Sequence, residues 1–149
     1  MKHLKINNRR KQMTIQKIKR LIHLATKTDI NGYSDETAKE KEEFLSLCRS
    51  YAKMIVKELG LIPSQYDLRT NRAGVACSGD VHLHTDTLYV AFEQTSICRE
   101  FGFMYRSVTG RRDFTGGQNR WMKWENLINV QGVIKVFKDV SAPKYQIIP

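Results

Sequence analysis

The stretch GRRDFTGGQNRW, residues 110–121, gathers side chains suited to holding a flat anion. Arg111, Arg112 and Arg120 carry guanidinium forks, which bind phosphate or carboxylate through two N–H groups at once and stack on planar rings. Gly116 and Gly117 would let backbone N–H groups approach an anion with no Cβ in the way. Asp113 can orient an arginine, accept from a ribose hydroxyl or a base edge, or cap its own turn. Phe114 and Trp121 offer stacking faces, and Asn119 sits between them and the glycines. Arg69 and Arg106 complete the guanidinium set of this half. Such a set points to binding of a phosphorylated, base-bearing molecule.

A second group lies in VHLHTD. If this is a strand, His82, His84 and then Asp86 share one face, and Val81 and Leu83 share the other. Two histidines at that spacing can share a metal, with Asp80 and Cys77 close in sequence. No second ligand cluster follows at metal-binding spacing, so no metal is expected. His82 and His84 are then available to donate to a ligand phosphate. The chain has no G-x-S-x-G, Walker A or G-x-G-x-x-G motif, and Cys77 has no evident base beside it. The expectation is a binder rather than an enzyme, without a cofactor.

Charge divides the chain. Residues 1–28 hold nine Lys or Arg and no acid, while the remainder holds 16 basic and 15 acidic residues. The net charge of +10 therefore belongs almost wholly to the N-terminal segment. Positive charge concentrated in this way attracts polyanions at long range. Arg9, Arg10, Lys11, Lys17, Lys19 and Arg20 are the candidates for contact with nucleic acid or a protein partner. Between Gly60 and Ile134 the preference switches to seven Arg and one Lys, interleaved with Tyr66, Tyr89, Phe92, Phe101, Phe103, Tyr105, Phe114, Trp121 and Trp124.

These residues need a scaffold, and 149 residues suit one domain, 1–149. No apolar run approaches the ~18 residues of a membrane span, so no membrane partner is expected. Cys48, Cys77 and Cys98 are odd in number and lack metal spacing, which favours a reducing, cytoplasmic setting.

The expected fold class is α+β: an N-terminal helical hairpin followed by a mostly antiparallel β-sheet. Residues 1–12 lack a helical period and read as a basic arm. Over 13–60, Thr14 caps a helix with a stripe of Ile15, Ile18, Leu21, Ile22 and Ala25. Asn31-Gly32 turns the chain, and Ser34 caps a second helix that ends at Gly60. Its apolar face is Ala38, Leu45, Cys48, Ala52, Ile55 and Leu59. The β-rich half is placed at 64–140, with strands expected from Ser64 to Thr70, about Val75 to His84 with a bulge at Ser78-Gly79, Leu88 to Glu93, Phe101 to Val108 and Arg120 to Glu125. Val133 to Val140 fits a strand or a short helix equally well.

The pattern YDLRTNRAG, SGDVHLHTDTLYV and MYRSVTGRRDFTGGQN, within residues 66–119, resembles a set of small bacteriophage accessory proteins. The resemblance implies an anti-defence role in the host cytoplasm, and Arg111 to Asp113 is similar to the ligand-contact residues of proteins that sequester cyclic-nucleotide signals. Two other readings stay open: a nucleic-acid-binding protein clamped by its basic arm, and an anti-CRISPR-like inhibitor of a host nuclease complex. A homo-oligomer is expected.

Overall fold

The computed structural model describes residues 13–28, 30–74, 77–113 and 117–141. The basic arm with Arg9, Arg10 and Lys11, the loop residues Phe114 and Gly116, and the tail from 142 lie outside the described residues. Helix α1 spans Ile15–Thr26, and its N-cap Thr14 accepts from the Lys17 N–H at 3.2 Å. Its buried residues are Ile18, Leu21, Leu24 and Ala25, whereas Ile15 at the start of the stripe is exposed. Helix α2 spans Asp35–Glu58. Ser34 and Thr37 close a reciprocal capping box, and Asp35 and Glu36 sit where the helix dipole favours acids. At its end Gly60 adopts a φ of +73°, which lets the Leu61 N–H reach back to the Val56 carbonyl at 2.9 Å.

The helical hairpin leads into a five-stranded antiparallel sheet in the order β1-β2-β3-β4-β5. The strands are β1, Tyr66–Asn71; β2, Asp80–Thr85; β3, Leu88–Glu93; β4, Phe103–Ser107; and β5, Arg120–Met122. A short helix α3, Ser96–Phe101, links β3 to β4, and helix α4, Val130–Ser141, closes the described chain. The α+β architecture is as the sequence pattern requires.

Several boundaries differ, each for a local reason. The second strand begins only at Asp80, because Gly79 has a φ of +79° and breaks the extended run. Ser96–Phe101 is helical because the Thr95 side chain accepts from the Cys98 N–H at 3.2 Å. The Arg120 strand stops at Met122, and Trp124–Ile128 turns into a 3-10 helix. Residues 130–141 are helical, with Val133, Ile134 and Phe137 buried on one stripe.

The buried faces of α1, α2 and α4 join Val81, Leu83, Val90, Phe92, Phe103 and Tyr105 in one core. Four aromatic rings anchor it: the Trp124 ring centroid lies 5.3 Å from Phe103 and 6.1 Å from both Phe92 and Phe44. The Trp124 indole N–H donates to the Cys98 carbonyl at 2.8 Å, so this buried ring has no unpaired polar atom. Buried Gln94 ties the hairpin to the sheet: its amide donates to the Leu24 carbonyl at 2.8 Å and to the Lys27 carbonyl at the end of α1.

Among the described glycines, Gly102 has the closest neighbour to an added Cβ. Its φ is +104°, and a Cβ there would lie 1.6 Å from the Met122 carbonyl oxygen. Gly102→Ala should therefore destabilise the protein by at least about 2 kcal/mol in urea denaturation. Gly74→Ala, with no atom within 4 Å of the added carbon, should change stability by no more than about 0.5 kcal/mol. Equal effects would show that the β4–β5 approach is looser than described.

Candidate functional site

Directly opposed residues of an antiparallel pair share a face, so the register sorts every strand residue. One row runs Asp67, His84, Tyr89, Arg106, and the next runs Arg69, His82, Ala91, Met104, Trp121. A third joins Asn71, Asp80 and Glu93. All of these lie opposite the face that carries Val81, Leu83, Val90 and Phe92. The histidines thus fall on one face and their apolar neighbours on the other, as the alternation in VHLHTD requires.

The turn after β4 folds over one end of this polar face. Asp113 closes the turn through its own carboxylate, which accepts from the Thr109 N–H at 3.0 Å and from the Thr109 hydroxyl at 3.2 Å. The His84 Nε2 lies 3.1 Å from the Gly110 carbonyl, and the Arg106 guanidinium donates to the Asp113 carbonyl at 3.3 Å. That same guanidinium stands 5.0 Å from the centre of the Tyr89 ring, within cation–π range. Arg111 crosses to the start of the sheet: its Nε donates to Asp86 at 3.1 Å, a second nitrogen donates to the Ser64 carbonyl, and Asp67 is 3.8 Å away. Burial lowers the His84 pKa and the Arg106 charge adds to this, while the Gly110 hydrogen bond opposes them. This favours the neutral imidazole, whose Nε2–H would donate to the Gly110 carbonyl.

Between β1 and this turn lies a cleft of about 290 Å³, lined by Asp67, Leu68, Arg69, His84, Arg111 and Arg112. Arg69, His84, Arg111 and Arg112 come together there from three separate segments. Arg69 and Arg112 are exposed and make no ion pair among the described residues.

The other candidates lie elsewhere. Arg120 pairs with Tyr105 and so points to the helix-packed side at the sheet edge, where it is exposed. Trp121 is on the polar face but on β5, four strand spacings from β1, or roughly 19 Å. One small ligand in the cleft does not reach it. Trp121 instead borders a groove of about 430 Å³ with Tyr105, Lys123, Asn126 and Val136. Gly117 is exposed with a φ of +79°, and the exposed Asn119 precedes β5. Of the aromatics in the arginine-rich half, Phe92, Phe103, Tyr105 and Trp124 belong to the core. Tyr89 remains on the polar face.

At the far end of that face His82 is held on both sides. Its Nδ1 lies 2.5 Å from the Tyr89 hydroxyl, and its Nε2 lies 2.7 Å from Asp80. Glu93 stands directly opposite Asp80 on β3. Burial and the neighbouring Asp80 raise the Glu93 pKa, and His82 partly opposes them. Sequence reasoning missed both Glu93 and the contact of Tyr89 with His82, since their relation to His82 exists only in the strand register. On α1, Lys19 is exposed and Lys17 half-exposed, while Arg20 pairs with Glu43 at 2.8 Å.

No protein family model matches this chain, and no curated protein or solved structure matches it.

Arg111 fixes the turn that forms one wall of the cleft. Arg111→Ala should cost about 1 kcal/mol, the scale of a partly exposed charged hydrogen bond. It should also speed amide exchange in residues 108–113 while leaving β2 and β3 protected. Unchanged exchange in that turn would show that Arg111 does not hold it.

Proposed function

We propose that this protein binds a phosphate-bearing, nucleotide-like ligand in the cleft between β1 and the 108–113 turn, and sequesters it without chemical change. The observation that carries this reading is the convergence of Arg69, Arg111, Arg112 and His84 on one cleft of suitable size. Among the described residues, three guanidinium groups there face one lining carboxylate, Asp67. Arg111 is oriented before any ligand arrives, by Asp86 and Ser64, so less conformational freedom is lost on binding. Arg69 and Arg112 supply forks for the phosphate. His84 is tied to the turn by its contact with Gly110, and among the described residues no Ser, Thr or Cys lines the cleft. These features favour retention of the ligand over its cleavage. The resemblance to small phage accessory proteins supports an anti-defence setting, with a host nucleotide signal as the ligand.

A second reading rests on the nine cations and no acids of residues 1–28, which favour nucleic acid as the partner of the arm and α1. Salt separates the two, because counterion release makes nucleic-acid affinity fall steeply as salt rises, whereas a single small ligand is less affected.

The experiment compares a panel of linear and cyclic nucleotides with single-stranded DNA, at two salt concentrations. Charge-assisted hydrogen bonds contribute roughly 1.5–3 kcal/mol each, so Arg69→Ala or Arg112→Ala should weaken nucleotide binding about tenfold to a hundredfold. Arg112→Lys should weaken it too, since the charge stays but the fork is lost. If the cleft variants bind every probe as wild type does while Lys19→Ala does not, the basic helix is the functional surface and the cleft is not.

A further inference from the structure

Two carboxylates face each other at the far end of the polar face. Asp80 on β2 and Glu93 on β3 are direct cross-strand partners, and like charges in that position repel. Neither has an Arg or Lys partner among the described ion pairs; Asp80 meets His82, and Glu93 meets none. All three side chains are half-buried, and one ligand atom from each lies within 4.8 Å of the others. A first-row metal bound at ~2.0–2.2 Å from each atom would bring them to within roughly 4.4 Å of one another, a small side-chain adjustment.

We propose that Asp80, His82 and Glu93 form a binding site for a single divalent transition-metal ion, with the His82 Nε2 and one oxygen of each carboxylate as its ligands. Imidazole with carboxylates suits zinc or manganese, and two carboxylates balance the ion's charge. The other imidazole nitrogen, Nδ1, is already bonded to the Tyr89 hydroxyl, which is the outer contact that orients a metal-binding histidine. Tyr89 is itself set by the edge-on His84 ring at 5.1 Å and the Arg106 guanidinium above it. The spacing of His82 and His84 alone does not disclose this site: His84 points to Gly110, and the third ligand comes from the next strand. Three protein ligands leave a coordination position open to solvent or to an anion. The site stands independently of the cleft reading, although His82 and Arg69 are cross-strand neighbours.

The test titrates metal-free full-length protein with Zn²⁺ and separately with Mn²⁺, by calorimetry and by elemental analysis after dialysis. One ion of at least one metal should bind per chain. His82→Asn and Glu93→Gln should each weaken it at least tenfold, with folding checked by circular dichroism, and His23→Ala, an exposed histidine on α1, should not. Nitrogen NMR of the histidines in the wild type reads the same contact without substitution: the His82 Nε2 resonance should move on adding Zn²⁺. Absence of stoichiometric binding of either metal overturns the proposal. So does binding that survives both substitutions, or a wild-type His82 resonance that stays still at saturating metal.

Discussion

The helices that pack on the sheet, α2 and α4, cover the face that carries Val81, Leu83, Val90 and Phe92, and the rest of the molecule follows from that. Helices packed on one side of a sheet draw most of its large apolar residues to that face. Val81, Leu83, Val90, Phe92 and Phe103 satisfy this by strict alternation, and α2 and α4 cover them. Trp124 closes the packing from outside the sheet, among Phe44, Phe92 and Phe103. The period of a strand then sends each intervening residue to the other face. That face receives Asp67, Arg69, Asp80, His82, His84, Tyr89, Glu93, Met104 and Arg106, a density of polar and charged groups no core would accept.

Antiparallel register then sorts the polar face into two neighbourhoods. At one end the post-β4 turn folds back, held by Arg111 to Asp86 and Ser64 and by His84 and Arg106 to the turn's carbonyls. The result is a positively lined cleft. At the other end the balance reverses, with Asp80 and Glu93 around one imidazole. Tyr89 lies between the two, in ring contact with both His82 and His84.

Much of the scaffold was legible because it is written locally. Thr14 and Ser34 cap the helices where expected, Gly60 ends the second, and VHLHTD alternates as a strand should. The burial stripe of α2 was read in part, through Leu45, Cys48, Ala52 and Ile55; Phe44, Tyr51 and Val56 widen it. What escaped depends on short signals or on distance. The six residues of α3 are too few to show a period, and Thr95 and Gly102 are its only flags. The Arg-aromatic half looked like a single site, but aromatics are as useful to a core as to a ligand, and four of them are core. Arg111 and Arg112 were singled out together with Arg120 and Trp121 by sequence proximity, whereas the fold joins them to Arg69 and His84 instead. Asp113 is occupied by its own turn. Glu93 could be connected to His82 only by knowing which strand lies beside which.

The central claim is that the polar face of the sheet, at the β1 cleft, is the functional surface. Amide chemical-shift mapping tests it most directly, with isotope-labelled protein titrated by nucleotides at physiological salt. The account predicts saturable shifts concentrated at Asp67 to Arg69, His84 and Gly110 to Asp113. Shifts confined to α1, or none with any nucleotide while single-stranded DNA perturbs Lys17 and Lys19, would contradict it.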